Sequence, residues 1–66
     1  MHPTFKKAVE FHKKGDLVNA NKILTDILKI KPNDFDSLYL NGIIAYQMGK
    51  TDISVKTISK AISINP

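Results

Sequence analysis

The stretch GDLVNANKILTDILKIKP, residues 15–32, returns in altered form 34 positions later as GKTDISVKTISKAISINP, residues 49–66. Gly15 falls on Gly49, Lys22 on Lys56, Ile30 on Ile64 and Pro32 on Pro66. Extending the same shift in both directions sets Phe5 on Tyr39, Ala8 on Gly42, Val9 on Ile43, Leu24 on Ile58 and Leu28 on Ile62. Small residues meet small ones, large apolar residues meet large apolar ones, and the helix breakers coincide. A fixed period of this length is the signature of a repeat architecture. The chain therefore reads as one domain, residues 1–66, made of two tandem units, residues 1–34 and 35–66.

Within each unit the apolar period is helical, and no alternating strand pattern competes with it. Phe5, Ala8, Val9 and His12 recur at intervals of three and four and predict a helix from about Thr4 to Lys14. Gly15 is the residue that most cheaply takes the left-handed conformation ending a helix. Asp16 is placed to cap a second helix carrying Leu17, Ala20, Leu24, Ile27 and Leu28, which Pro32 ends. Asn33 is expected to open a third helix, with Asp36 at its electropositive end. Its apolar residues, Phe35, Leu38, Tyr39, Leu40, Ile43, Ile44, Tyr46 and Met48, wrap so much of the circumference that it should lie between other helices. Asn41-Gly42 is also a strong hairpin signal, but its flanks continue the helical period. Gly42 is therefore placed inside the helix at a cost of about 1 kcal/mol relative to alanine, which close approach of a neighbouring helix would offset. Gly49 ends the third helix. Thr51 or Asp52 caps a fourth, containing Val55, Ile58, Ala61 and Ile62, with Pro66 at its end. The expected fold is all-α: four antiparallel helices in two helix–turn–helix repeats, stacked as an α-solenoid.

This arrangement resembles the tetratricopeptide repeat family over essentially the whole chain. In the first unit the residues that carry the likeness are Ala8, Phe11, Gly15, Ala20, Leu24, Ile27 and Pro32, while Thr4 and Lys7 depart from the family pattern. In the second they are Leu38, Gly42, Gly49, Ile58, Ala61 and Pro66. Asn41, Ala45 and Ser54 stand where the pattern has leucine, an aromatic residue and alanine, which predicts looser packing in that unit.

Sixty-six residues, 42% hydrophobic and 24% charged, are the composition of one small globular domain. A chain of this size buries only about 60% of its unfolded surface, and without cysteine it has no disulfide or thiolate metal site to reinforce it. No apolar run approaches the roughly 20 residues of a membrane span, and no signal peptide is recognisable; the expected location is the cytoplasm. The net charge of +4 comes from ten lysines against six acids, with no arginine. Lys6, Lys7, Lys13 and Lys14 recur at an interval of seven, opposite the apolar residues of their helix. They read as a solvated face, and the alternative reading is a surface for nucleic acid or another polyanion. Base and phosphate readers favour the bidentate fork of arginine, so nucleic acid is not the expected partner.

Catalytic machinery is not expected. His2 and His12 are the only histidines, too few for a three- or four-ligand metal site. No serine has a base of the right kind near it in the pattern, no glycine-rich phosphate loop occurs, and the acids are spread singly. The expectation is a non-catalytic module without metal or cofactor. Solenoids bind partners on their concave side, and the family resemblance implies that the first helix of each unit lines it. Phe5, Val9 and His12 from one helix and Tyr39, Ile43 and Tyr46 from another are then the partner-binding candidates. Phe5, Val9 and Leu40 stand where a clamp for a peptide carboxylate would need polar groups, so an apolar, aromatic peptide or helix is the better fit. The competing assignment buries these residues against another helix or a second copy. Repeat proteins usually need three or more units and polar caps. Ile53, Val55, Ile58, Ile62 and Ile64 on the last helix therefore predict self-association, exchange of elements between copies, or a piece of a longer array; the expectation is a homo-oligomer formed through this face or the groove, with Val55, Ile58 and Ile62 as the self-association residues.

Overall fold

Two glycines with positive φ divide each half of the molecule. Gly15 has φ 81° and Gly49 has φ 80°, and each ends a helix in the same hydrogen-bonded turn. The N–H of Asp16 donates to Phe11 C=O at 2.9 Å and that of Gly15 to His12 C=O at 3.0 Å. Thirty-four residues on, Lys50 N–H donates to Ala45 C=O at 2.8 Å and Gly49 N–H to Tyr46 C=O at 3.0 Å. Both are Schellman motifs, which satisfy the last carbonyls of a helix and need a left-handed residue at the position the glycine holds.

A computed structural model describes residues 4–65. His2, and Pro66 with its alignment on Pro32, lie outside the described residues. Among those residues there are four helices and no strand: α1 (Phe5–Lys13), α2 (Leu17–Ile30), α3 (Phe35–Gln47) and α4 (Thr51–Ile64). Thr4 caps α1, its side-chain oxygen accepting from Lys7 N–H, and Asp16 caps α2 by accepting from Asn19 N–H. For α3 the cap is Asp34 rather than Asn33. Its carboxylate accepts from Ser37 N–H at 3.2 Å and from the Ser37 hydroxyl at 2.5 Å, which pairs a hydroxyl that is wholly buried. Neither Thr51 nor Asp52 caps α4. Lys50 holds that position and offers no side-chain bond, while Thr51 and Asp52 lie in the first turn.

Ala8, Ala20 and Leu24 join Ile44 in a fully buried cluster, with Phe5, Phe11, Leu17, Ile23, Leu40 and Met48 packed around it. Ile44 thus ties α3 to the core of the first two helices. On its other side α3 meets α4 in the most extensive helix–helix contact of the molecule. The sandwiching expected for α3 is what its neighbours produce. The looser packing expected in the second half is not found, and the reason is Gly42. A Cβ at this buried position would overlap Ile58 Cγ1 and lie 3.1 Å from Ile58 Cδ1 and 3.4 Å from Ile58 N. The missing side chain lets the two backbones come together, so that the buried Ser54 hydroxyl donates to Gly42 C=O at 2.7 Å. Serine in place of the expected alanine fills the same small space and adds a bond.

Adding one methyl at residue 42 is therefore expected to destabilise. Gly42→Ala gains helix propensity of about 1 kcal/mol but overpacks a tight contact at a cost of about 1–3 kcal/mol. Combining it with Ile58→Leu recreates the Ala8–Leu24 pairing of the first half, and the double variant should recover most of the loss in a urea-unfolding cycle. Lys50→Asp copies Asp16 into the uncapped start of α4 and should raise stability by about 1 kcal/mol in the same assay.

Candidate functional site

Beyond the core that they share at Ala8 and Ile44, α1 and α3 are joined by a polar link near their C-terminal ends. His12 Nε2 and Gln47 Oε1 are 2.9 Å apart, so the imidazole N–H donates to the amide oxygen across 35 residues of sequence. The bond is exposed, and net hydrogen bonds of this kind contribute about 1 kcal/mol or less; its role is to orient two helix ends. His12 is half-buried, and among the described residues no three His, Asp or Glu side chains converge on a common point.

The six residues proposed to face a partner differ in how free they are. Tyr46 is 66% exposed and Tyr39 45% exposed, whereas Val9 and Ile43 are half-buried. Phe5 is half-buried as well, and it packs on the Ala8–Ala20–Leu24–Ile44 cluster, so much of its ring belongs to the core. Tyr39 is held by a neighbour that the repeat comparison did not single out. The Phe35 ring stacks on it with centroids 5.8 Å apart and planes 9° from parallel. The i, i+4 spacing of the two aromatics on one helix is the signal that points to this pair. Gln47 was likewise missed, and only knowledge that α1 and α3 are neighbours would have found it.

The last helix does not present one apolar face. Ser54, Ile58 and Ala61 turn toward α3, and Ile58 is half-buried on Gly42, so it is not a free self-association residue. Val55 and Ile62 are exposed along one flank of that buried ridge, and Ile53 and Ile64 along the other. Between the flanks runs an exposed polar strip of Asp52, Lys56, Ser59, Lys60 and Ser63.

All four lysines at positions 6, 7, 13 and 14 are exposed. Lys7 lies 5.6 Å from the Phe11 ring centroid and 3.9 Å from Glu10, so its charge is partly engaged on its own helix. A cleft of about 330 Å³ opens between the end of α2 and helices α3 and α4. Leu28, Pro32 and Leu38 form its apolar wall and Lys56, Thr57 and Lys60 its rim. Asn41 also lines it, with a buried Oδ1 that has no hydrogen-bond partner among the described residues.

No family model, curated protein or solved structure matches this chain. The site is thus read from its own geometry.

An unpartnered buried acceptor costs about 1–3 kcal/mol, and leucine has the branched shape of asparagine, with methyl groups in place of the amide oxygen and nitrogen. Asn41→Leu is accordingly expected to stabilise the chain by about 1–2 kcal/mol, visible as a rise in Tm of roughly 4–8 °C per kcal/mol in thermal unfolding.

Proposed function

We propose that the chain is a non-catalytic protein–protein interaction module of the tetratricopeptide type, a short α-solenoid that binds a peptide or a helix on its apolar repeat surfaces, in a cytoplasmic setting. The observation that carries this reading is the order of contacts. Each helix packs on its neighbour in sequence, and among the described residues the α4 backbone comes within 8 Å, Cα to Cα, of neither α1 nor α2. A closed four-helix bundle would bring its first and last helices together; a stack of repeats leaves them apart. The two Schellman turns 34 residues apart support the same reading.

In such a stack α1 and α3 line one side, and the surface they offer is mixed. Tyr39 and Tyr46 supply exposed aromatic area with hydroxyls, Val9 and Ile43 supply a half-buried apolar floor, and His12 with Gln47 supplies a polar end. Aromatic rings of this kind combine large contact area with few rotors to freeze, which favours recognition of large apolar side chains. No helix among the described residues is long and apolar enough to cross a membrane.

Peptides selected from a random displayed library against the 66-residue chain test the reading. Selected sequences should be rich in large apolar side chains and bind with little dependence on salt. The Tyr39→Ala/Tyr46→Ala variant should bind them about tenfold or more weakly, as expected for aromatic anchors. Selection of acidic peptides whose binding collapses as salt rises, and fails on replacing Lys6, Lys7, Lys13 and Lys14 by glutamine, would assign the function to the lysine face instead.

A further inference from the structure

Neither the fold nor the peptide-binding surface makes chemical use of the pair Asn41-Gly42. An asparagine followed by glycine is self-reactive. No Cβ shields the glycine nitrogen and the backbone there turns freely, so this nitrogen can attack the asparagine carboxamide carbon. The attack forms a bond between Gly42 N and Asn41 Cγ, the amide proton passes to solvent base, and the carboxamide nitrogen leaves as ammonia. Water then opens the cyclic imide at either carbonyl. Opening at Cγ gives aspartate. Opening at the main-chain carbonyl gives isoaspartate, in which the chain runs on through Cγ and is longer by a methylene. Asn19, Asn21, Asn33 and Asn65 are followed by Ala20, Lys22, Asp34 and Pro66. Those neighbours are hindered by their side chains, and the proline nitrogen has no proton to lose. Asn41 is thus the reactive asparagine of the unfolded chain.

The fold restrains it. Asn41 lies in the middle of α3, where Gly42 gives its N–H to the carbonyl four residues back. Ring closure takes that bond away and turns the Asn41 ψ off its helical value. Gly42 is also buried, with Ile58 where its Cβ would be and the Ser54 hydroxyl donating to its carbonyl. The carboxamide oxygen is not tied down, because it has no hydrogen-bond partner among the described residues. Protection therefore comes from the α3 backbone and its cover by α4.

We infer that Asn41-Gly42 is a site of intramolecular modification whose rate is set by opening of the α3–α4 hairpin, and that the isoaspartate formed keeps an opened molecule from closing again. An extra methylene before Gly42 moves its nitrogen and carbonyl out of helical register. Gly42 then cannot both continue α3 and accept from Ser54. The aspartate product keeps the length of the chain, and Lys56 and Lys60 line the cleft beside residue 41, so that form closes. The peptide-binding surface plays no part in this chemistry.

Incubation of the 66-residue chain in mildly alkaline buffer, with and without urea, tests it when tandem mass spectrometry follows each asparagine and separates aspartate from isoaspartate. Residue 41 should convert about tenfold or more slowly in buffer than in unfolding urea, and intermediate concentrations should follow the unfolding curve. Ser54→Ala, which removes the bond to Gly42, should speed conversion in buffer about fivefold. Lys50→Asp should slow it by a similar factor, about fivefold. Neither variant should change the rate in urea. Asn33, exposed and outside the helices, is the internal reference that urea changes little. After dilution from urea, chains with aspartate should regain the far-ultraviolet circular dichroism of the parent, and chains with isoaspartate should not. Conversion in buffer at the rate of the unfolded chain, a rate in urea no faster at residue 41 than at Asn33, or isoaspartate chains that refold as the parent does would overturn the inference.

Discussion

The absence of a side chain at residue 42 sets the geometry of half the molecule. Glycine inside a helix costs backbone entropy, and here that cost is offset by contact. With no Cβ in the way, α4 comes close enough for the Ser54 hydroxyl to reach a main-chain carbonyl of α3 and for Ile58 to lie directly on the α3 backbone. Once Ser54 and Ile58 are committed to that side, helical periodicity fixes where every other residue of α4 must go. Val55 and Ile62 emerge on one flank, Ile53 and Ile64 on the other, and the charged residues between them. The surface of the last helix is thus a consequence of one missing methyl group on the helix before it.

The two halves solve the same packing problem with different side chains. Ala8, Ala20 and Leu24 do in the first what Gly42, Ser54 and Ile58 do in the second. Glycine gives up volume on α3, and the β-branched isoleucine on α4 carries bulk closer to its own backbone than leucine does, so the exchange at one position is answered at the other. Interiors tolerate such changes when total volume and patterning are conserved. The departures of the second unit from the repeat pattern are compensated rather than loose, with Asn41 as the exception. Its orphaned carbonyl oxygen is a local deficit that the surrounding leucines do nothing to relieve.

The helix ends were legible in the sequence wherever a residue has one physical option. Gly15 and Gly49 take the left-handed conformation, Pro32 stops α2, and Asp16 caps it. Reading failed by one residue at the start of α3, because Asn33 and Asp34 are equally good caps and only the backbone path decides between them. It failed at α4 because Lys50 has no capping oxygen, which shifted the expectation to the nearest Thr or Asp. Gly42 was placed correctly inside its helix by period, and its close neighbour was expected, but the identity of that neighbour was not. For the same reason Ile58 was grouped with the exposed residues: apolar spacing locates a face without saying which part of it is already occupied. The Phe35–Tyr39 stack was within reach of sequence spacing, whereas the His12–Gln47 bond depends on which helices adjoin.

The order of contacts along the chain also governs how the structure assembles. Every extensive interface joins helices adjacent in sequence, and α1 meets α3 only slightly. Chain loops that must close to form these interfaces are short, so little entropy is spent before each contact is rewarded. Folding can begin at the α3–α4 hairpin, where contact is densest, and spread toward the N-terminus one helix at a time. Loss of structure follows the reverse path: α1 is fastened to one extensive partner and can detach while the hairpin around Gly42 stays closed. A molecule built this way has no single latch, and its N-terminal helix opens at lower cost than the α3–α4 hairpin.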